Sequence, residues 1–291
     1  MRRKNEHLKK LVLMLILAFI IKEAIAAVMT IALTVGNPVP RVQNVRISDN
    51  PLILIENSQK TVWCNATIND TNGWQDIVSA RGVIWDNSNA TYDSSDDYNN
   101  HYTNSSCALY SGSGTARDTS CLFRVYYFAN PGNWSCRITA EDTLTQESYN
   151  ETGFNITTFL GLTTSSEINF GTMTPGSTSN SSVTTYINNT CNQQIDILLN
   201  SQSDVNCTIG SIPAINVHYN STDMDHSSMC NLTTSTTDTC NEVSNNFNLA
   251  KCTTISGTPL NPSKNVYWRI KVPIGVSGTC TTTLMVTAKE G

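Results

Sequence analysis

Two cysteines constrain this chain more than any other feature. Cys64 lies in Thr61-Val62-Trp63-Cys64-Asn65-Ala66-Thr67-Ile68, and Cys136 in Asn133-Trp134-Ser135-Cys136-Arg137-Ile138-Thr139-Ala140, each in mid-run. Successive side chains of a strand point to opposite faces. Val62, Cys64, Ala66 and Ile68 therefore share a face, as do Trp134, Cys136, Ile138 and Ala140. Inward cysteines on two strands distant in sequence are what a bridge between packed sheets requires. The expectation is an exported, disulfide-stapled β-sandwich.

The amino terminus supports export. Arg2, Arg3, Lys4, Lys9 and Lys10 form a basic leader, followed by an unbroken apolar run of eleven residues, Leu11 to Ile21. A helix needs about 20 apolar residues to cross a bilayer, whereas a shorter run suits a signal-peptide core. Ala24-Ile25-Ala26 offers a small-x-small cleavage pattern, so residues 1–26 read as a signal peptide and Ala27 as the mature start. The competing reading is an uncleaved anchor in which the stretch Ala24 to Val35 helps to span. Lys22 and Glu23 make that costly. Val28 to Val35, which ends at Gly36-Asn37-Pro38, reads as a first strand. It either completes its own domain or pairs with a neighbouring subunit.

Without the leader the chain carries 12 basic against 21 acidic residues, a net charge of −9. The basic residues are scattered singly, with no patch to hold a phosphate backbone, which excludes nucleic acid as an expected partner. Ten cysteines without any Cys-x2-Cys pair argue for oxidation in an exported chain and against a zinc site. Of twelve Asn-x-Ser/Thr sequons, those at Asn65, Asn133 and Asn155 fall on outward strand faces, where a glycan is sterically admissible.

The pattern is all-β and divides near residue 160: an immunoglobulin-like β-sandwich over 27–160 and a second over 161–291. Four cysteines precede the division and six follow it. In the first domain, strands are expected at Arg41-Ile47, Leu52-Ile55, Thr61-Ile68, Ser79-Trp85, Cys121-Phe128, Asn133-Glu141 and Thr152-Thr158. Pairing Cys64 with Cys136 leaves Cys107 with Cys121, closing a flexible excursion at Ser111-Gly112-Ser113-Gly114. Trp85 is the expected ring against the central bridge, with Trp74 as competitor. In the second domain, strands are expected at Ser182-Asn189, Gln194-Leu199, Val266-Pro273 and Thr283-Ala288. Cys230 and Cys240 can close a local loop; Cys191, Cys207, Cys252 and Cys280 allow several pairings.

Phe170-Gly171 through Pro175-Gly176, the strand running to Asn188-Asn189, and Tyr267-Trp268 through Val272-Pro273 and Ser277-Gly278-Thr279 carry a resemblance. They resemble the immunoglobulin-like modules of archaeal and related microbial cell-surface proteins. The front domain is similar to modules that begin Gly36-Asn37-Pro38-Val39-Pro40 and continue through Asn69-Asp70-Thr71-Asn72-Gly73-Trp74. Thr190-Cys191 departs from the glycine such modules place after the Asn-rich turn. The resemblance implies a secreted or cell-surface sandwich array used for envelope structure, adhesion or filament building, and implies no catalytic residues.

The residues point the same way. None of the four histidines lies in a nucleophile or metalloprotease motif, and no Gly-x-Ser-x-Gly is present. The chain is therefore expected not to be an enzyme. The one cofactor weighed is calcium: Asp70, Asn72 and Asp76 supply hard oxygens around Gly73, and Asp93, Asp96 and Asp97 form a second acidic loop. Neither loop matches the twelve-residue spacing of an EF-hand. The expected partners are cell-envelope components or like subunits, with membrane contact only through an uncleaved leader. A glycan- or protein-binding module is the alternative function. A strand-exchanged filament subunit or a hydrolase ranks below it.

Overall fold

A computed structural model describes residues 2–20, 29–236, 240, 247–255 and 258–291. The chain forms two compact units, 1–37 and 38–291. In the first, Arg2–Ile20 is helix α1. Among the described residues no helix is long and apolar enough to cross a membrane. The expected cleavage site at residues 24–26, with Val28, lies outside the described residues. The expected strand over 28–35 is not formed in its described part: Met29, Ile31, Leu33 and Val35 are exposed, Ile31 at 90%. A strand persists only as part of a hydrogen-bonded ladder, and no described residue pairs with this segment.

Unit 38–291 is β throughout. Its first lobe contains β1 (Arg41–Ile47), β2 (Gln59–Asn69), β3 (Ile77–Asp86), β4 (His101–Asn104), β5 (Ala108–Leu109), β6 (Ala116–Tyr126), β7 (Gly132–Asp142) and β8 (Glu147–Ile156). They form two antiparallel sheets, ordered β1-β2-β6-β5 and β4-β3-β7-β8. The expected strand over 52–55 reduces to a single bridge between Leu52 and Ile156. Between the sheets, Val62, Cys64, Ala66 and Ile68 meet Trp134, Cys136, Ile138 and Ala140 in one buried cluster.

Cys64 on β2 is bonded to Cys136 on β7, so this bridge crosses between the sheets. Cys107 is bonded to Cys121 of β6, which lies directly opposite Cys64 in the β2–β6 ladder. Gly82, in the middle of β3, makes room for this pair: a Cβ there would lie 2.7 Å from the Cys121 sulfur. The expected role of Trp85 is overturned by strand phase. Ile84 stands opposite Cys136 and takes the inward face, so Trp85 turns outward against Tyr92 and under Arg137. The core ring is Trp134, fully buried two residues before Cys136, with its indole N–H donating to the Asn130 carbonyl at 2.9 Å.

The second lobe contains β9 (Leu162–Thr164), β10 (Val183–Asn189), β11 (Ile195–Ser201), β12 (Val205–Ile209), β13 (Ser211–Ile212), β14 (Val217–Asn220) and β15 (Cys230–Asn231). It continues through β16 (Thr253–Ile255), β17 (Thr258–Leu260), β18 (Ser263–Ile270), β19 (Ser277–Thr281) and β20 (Leu284–Glu290). A five-stranded sheet, β15-β14-β18-β10-β9, shares its core with the β11-β20 pair, and β13-β12-β19 forms a smaller sheet. Val266, Trp268 and Ile270 alternate inward along β18, and the Trp268 indole donates to Thr185 Oγ1 at 2.8 Å. Cys207 is bonded to Cys280 across β12 and β19, and Cys230 to Cys240. Cys191 is buried outside these four bridges.

The lobes meet along a polar and aromatic seam within this unit. Tyr127, Phe128 and Cys252 form a small cluster of their own, and the Tyr127 hydroxyl bonds Cys252 Sγ and Asn261. Thr190 donates to Glu56 at 2.5 Å, and Asn192 donates to the Thr157 carbonyl at 2.8 Å. Lys251 reaches back to the Phe128 carbonyl and to Asn130. Burial lowers the Lys251 ammonium from its ordinary pKa and raises both the Tyr127 hydroxyl and the Cys191 thiol.

Candidate functional site

The chemically most unusual point lies at one end of the first lobe, and its origin is strand phase. Asp70 continues the inward series 62, 64, 66, 68 of β2, and Asp142 continues 134, 136, 138, 140 of β7. Each aspartate follows its bridging cysteine by six residues, so the pair linked at Cys64–Cys136 ends on two inward carboxylates. Both are 1% exposed. Asp76 joins them because Ile77, the next residue, stands opposite Asp142 at the start of β3. One carboxylate oxygen from each of Asp70, Asp76 and Asp142 lies within 4.8 Å of the others.

Local structure holds these groups in place. Asp70 closes an Asx turn: its Oδ1 accepts the Asn72 N–H at 2.8 Å, and its carbonyl accepts the Gly73 N–H at 3.1 Å. Gly73 sits at φ +115°, a conformation that favours glycine, and leads into the short 3-10 turn Trp74–Asp76. Gly112 makes room for the Trp74 side chain, since a Cβ there would lie 2.6 Å from the Trp74 Cβ and Cγ, and Arg117 covers the Trp74 ring at 5.1 Å. The Ser111-Gly112-Ser113-Gly114 segment is thus a support for this turn: Gly114 and Thr115 carbonyls accept the Trp74 and Asp70 N–H groups. Asp142 Oδ1 accepts the Leu144 and Gln146 N–H groups at 2.9 and 2.8 Å. Thr143 ties the loops together, its N–H on the Asp76 carbonyl at 2.9 Å and its hydroxyl on Asp76 Oδ1.

These bonds leave the cluster incomplete. Asp70 Oδ2 and Asp76 Oδ2 are buried and accept no hydrogen bond. Neither Asp70 nor Asp76 forms an ion pair with Lys, Arg or His among the described residues. Like charges at this separation repel by roughly 3 kcal/mol per pair at an effective dielectric of 20. Of the residues singled out in sequence, Asp70 and Asp76 are brought together. The Asn72 side chain is exposed, and its backbone N–H serves the turn. Asp142 was missed because it follows an apolar strand, although its even position placed it inward.

The other singled-out residues are elsewhere. In the second acidic loop, Asp97 Oδ1 accepts the N–H groups of Asn99, Asn100 and His101, Asp96 binds the His101 ring at 2.7 Å, and Asp93 is exposed. Asn133 and Asn155 are both exposed and stand directly opposite each other across β7 and β8. Asn65 is half-buried and accepts the Ser120 hydroxyl.

No family model matches the chain, and no curated protein does. Among solved structures it is similar to dimeric latent PorU from Porphyromonas gingivalis, at 11% identity and a TM-score of 0.28 over 86% of this chain and 20% of that one. It is similar also to the C-terminal domain of the AgI/II polypeptide BspA of Streptococcus agalactiae, at 10% identity and 0.24, over 86% of this chain and all of that one. A third is among carbohydrate-binding modules of the β-sandwich superfamily, at 10% identity and 0.26, over 86% of this chain and 97% of that one. The chain spans about a fifth of PorU. Likeness at these scores carries no argument about function, which has to come from the chain's own residues.

Proposed function

We propose that this chain is an exported cell-surface protein whose disulfide-stapled sandwiches serve a structural or adhesive purpose. The finer form of this reading is a module of the kind found on archaeal and related microbial surfaces. The observation that carries it is the set of four disulfides, each long-range bridge enclosing a short one in its loop. Such bonds persist in oxidising compartments and are rare in the cytosol. The exposed pair Asn133 and Asn155 adds support, since sequons on an outward sheet face are placed for modification during export. Protease treatment of intact cells, followed by immunoblotting, tests the reading. The protein should be lost while a cytosolic marker survives; full protection with reduced cysteines refutes it.

A second reading, a strand-exchanged filament subunit, is favoured by one specific pairing of features. Met29, Ile31, Leu33 and Val35 are exposed at alternate positions, and β20 bonds only β11 among the described residues. Leu284, Val286 and Ala288 along β20 are half-buried against the core, a surface that a donated strand can cover. The mature chain should form high-mass species on native gels, and removal of residues 27–36 should leave monomers. Equal assembly of both forms refutes strand exchange.

A further inference from the structure

We propose that Asp70, Asp76 and Asp142 bind a calcium ion that locks one end of the first lobe. First, the donors are all hard oxygens, with no sulfur or imidazole in the cluster, a set that suits calcium, magnesium or manganese better than zinc or copper. Second, the spacing fits one ion: calcium–oxygen distances of about 2.3–2.6 Å allow two ligands of the same ion to stand up to about 5 Å apart. The three carboxylate oxygens lie within 4.8 Å of one another. Magnesium, at about 2.0–2.1 Å, tolerates a narrower spread and demands near-octahedral placement. Third, two of the carboxylates, Asp70 and Asp76, each hold a buried oxygen without the partner that burial calls for. Asp70 is 1% exposed, yet its Oδ2 accepts nothing, and the buried Oδ2 of Asp76 is in the same condition. Buried charge is ordinarily paired or bound to metal.

The location gives the ion a purpose. Asp70 ends a strand of one sheet, Asp142 ends a strand of the other, and Asp76 belongs to the crossover between the sheets. One cation would therefore join both layers and the β2–β3 crossover at the end of the lobe, six residues beyond the sulfur bridge on each strand. Calcium modules outside the cell are tuned to affinities of about 0.1–1 mM. Three charged ligands on turns already fixed by backbone hydrogen bonds place this site toward the tighter end of that range.

The test compares mature wild-type chain with Asp70→Asn and Asp76→Asn. Asn at 70 keeps an oxygen for the Asn72 N–H and puts an amide where the orphaned Oδ2 stood, so the turn is retained while a charge is removed. Melting is followed by circular dichroism in chelator and in about 5 mM calcium, with sodium chloride matched for ionic strength. Wild type should gain about 5 °C or more in calcium. Asp70→Asn should melt above wild type in chelator and lose the calcium response, so that the two curves change order. Bound Tb³⁺ should luminesce on excitation of tryptophan in wild type, Trp74 lying between two of the ligands, and should not do so in the variants. A wild-type melting point equal in chelator and calcium overturns the proposal, as does a shift that sodium chloride reproduces or that both variants retain. If Asp70→Asn does not fold, Asp76→Asn at its half-buried position decides the outcome.

Discussion

Replacing Trp134 and Trp85 in turn tests the inward and outward assignment on which the first lobe depends. Trp134 is fully buried, lies 6.1 Å from the Tyr102 ring and 6.2 Å from the Phe154 ring, and donates to the Asn130 carbonyl. A tryptophan buries 150–250 Å², and at ~25 cal/mol per Å² its removal forfeits about 4–6 kcal/mol of transfer free energy. Trp134→Ala should therefore cost about 4 kcal/mol, within the range found for such truncations. Trp134→Phe keeps most of the packing and takes the indole donor from the half-buried Asn130 carbonyl, at a cost of about 1–2 kcal/mol. Trp85, although only 7% exposed, faces outward. Its loss removes an edge contact with Tyr92 and the Arg137 guanidinium at 5.4 Å, while Arg137 keeps Tyr92 and Tyr149 at 4.4 and 4.0 Å. Water can enter the space left on the outer face and relieve the cavity cost, so Trp85→Ala should cost less than Trp134→Ala, about 2–3 kcal/mol. The assay is urea unfolding of the mature chain with disulfides intact, followed by far-ultraviolet circular dichroism. A cost for Trp85→Ala equal to or above that of Trp134→Ala refutes the strand phase.

Three further outcomes follow from particular contacts. Gly82→Ala should destabilise the first lobe by about 1–3 kcal/mol, measured in the same assay, because its Cβ would press on Cys121 and on Phe123 at 3.1 Å; removing the Cys107–Cys121 bridge should soften that penalty. The hydrogen bond from Arg81 holds the Glu147 carboxyl below its ordinary value of 4.5, so the pair stabilises the fold above that value and loses its contribution as pH falls through the lowered one. Both side chains are about 40% exposed, and solvent screening limits the effect: Glu147→Gln should cost under about 1 kcal/mol at neutral pH, with the two proteins converging in acid. Peptide mapping without reduction should return Cys64–Cys136, Cys107–Cys121, Cys207–Cys280 and Cys230–Cys240, and should label Cys191 only after unfolding.

Alternation made the cysteine strands legible, because a buried face leaves a period-two record in any strand that has one. The same record extended to Asp70 and Asp142, but polarity at a strand end reads as the start of a loop, and only three-dimensional proximity reveals that two such ends coincide. Trp85 misled for a related reason. Phase on β3 depends on which residue opposes Cys136, and Ile77-Val78-Ser79-Ala80-Arg81-Gly82-Val83-Ile84-Trp85 has too little alternation to show it. The segment at 28–35 has the composition of a strand, yet a ladder needs a neighbour, which composition does not supply. Cys207 and Cys280 could not be paired from sequence because their spacing is compatible with several closures; direct opposition of β12 and β19 resolves them.

The placement of the two long-range sulfur bonds has a mechanical consequence. A force applied to the ends of the β unit enters and leaves each lobe outside Cys64–Cys136 and Cys207–Cys280, which are separated by 72 and 73 residues. At ~3.4 Å per extended residue, each bond withholds about 250 Å of contour from stretching. A tethered molecule under shear would extend only through residues 38–63, 137–206 and 281–291, and the chain enclosed by each bond would stay closed.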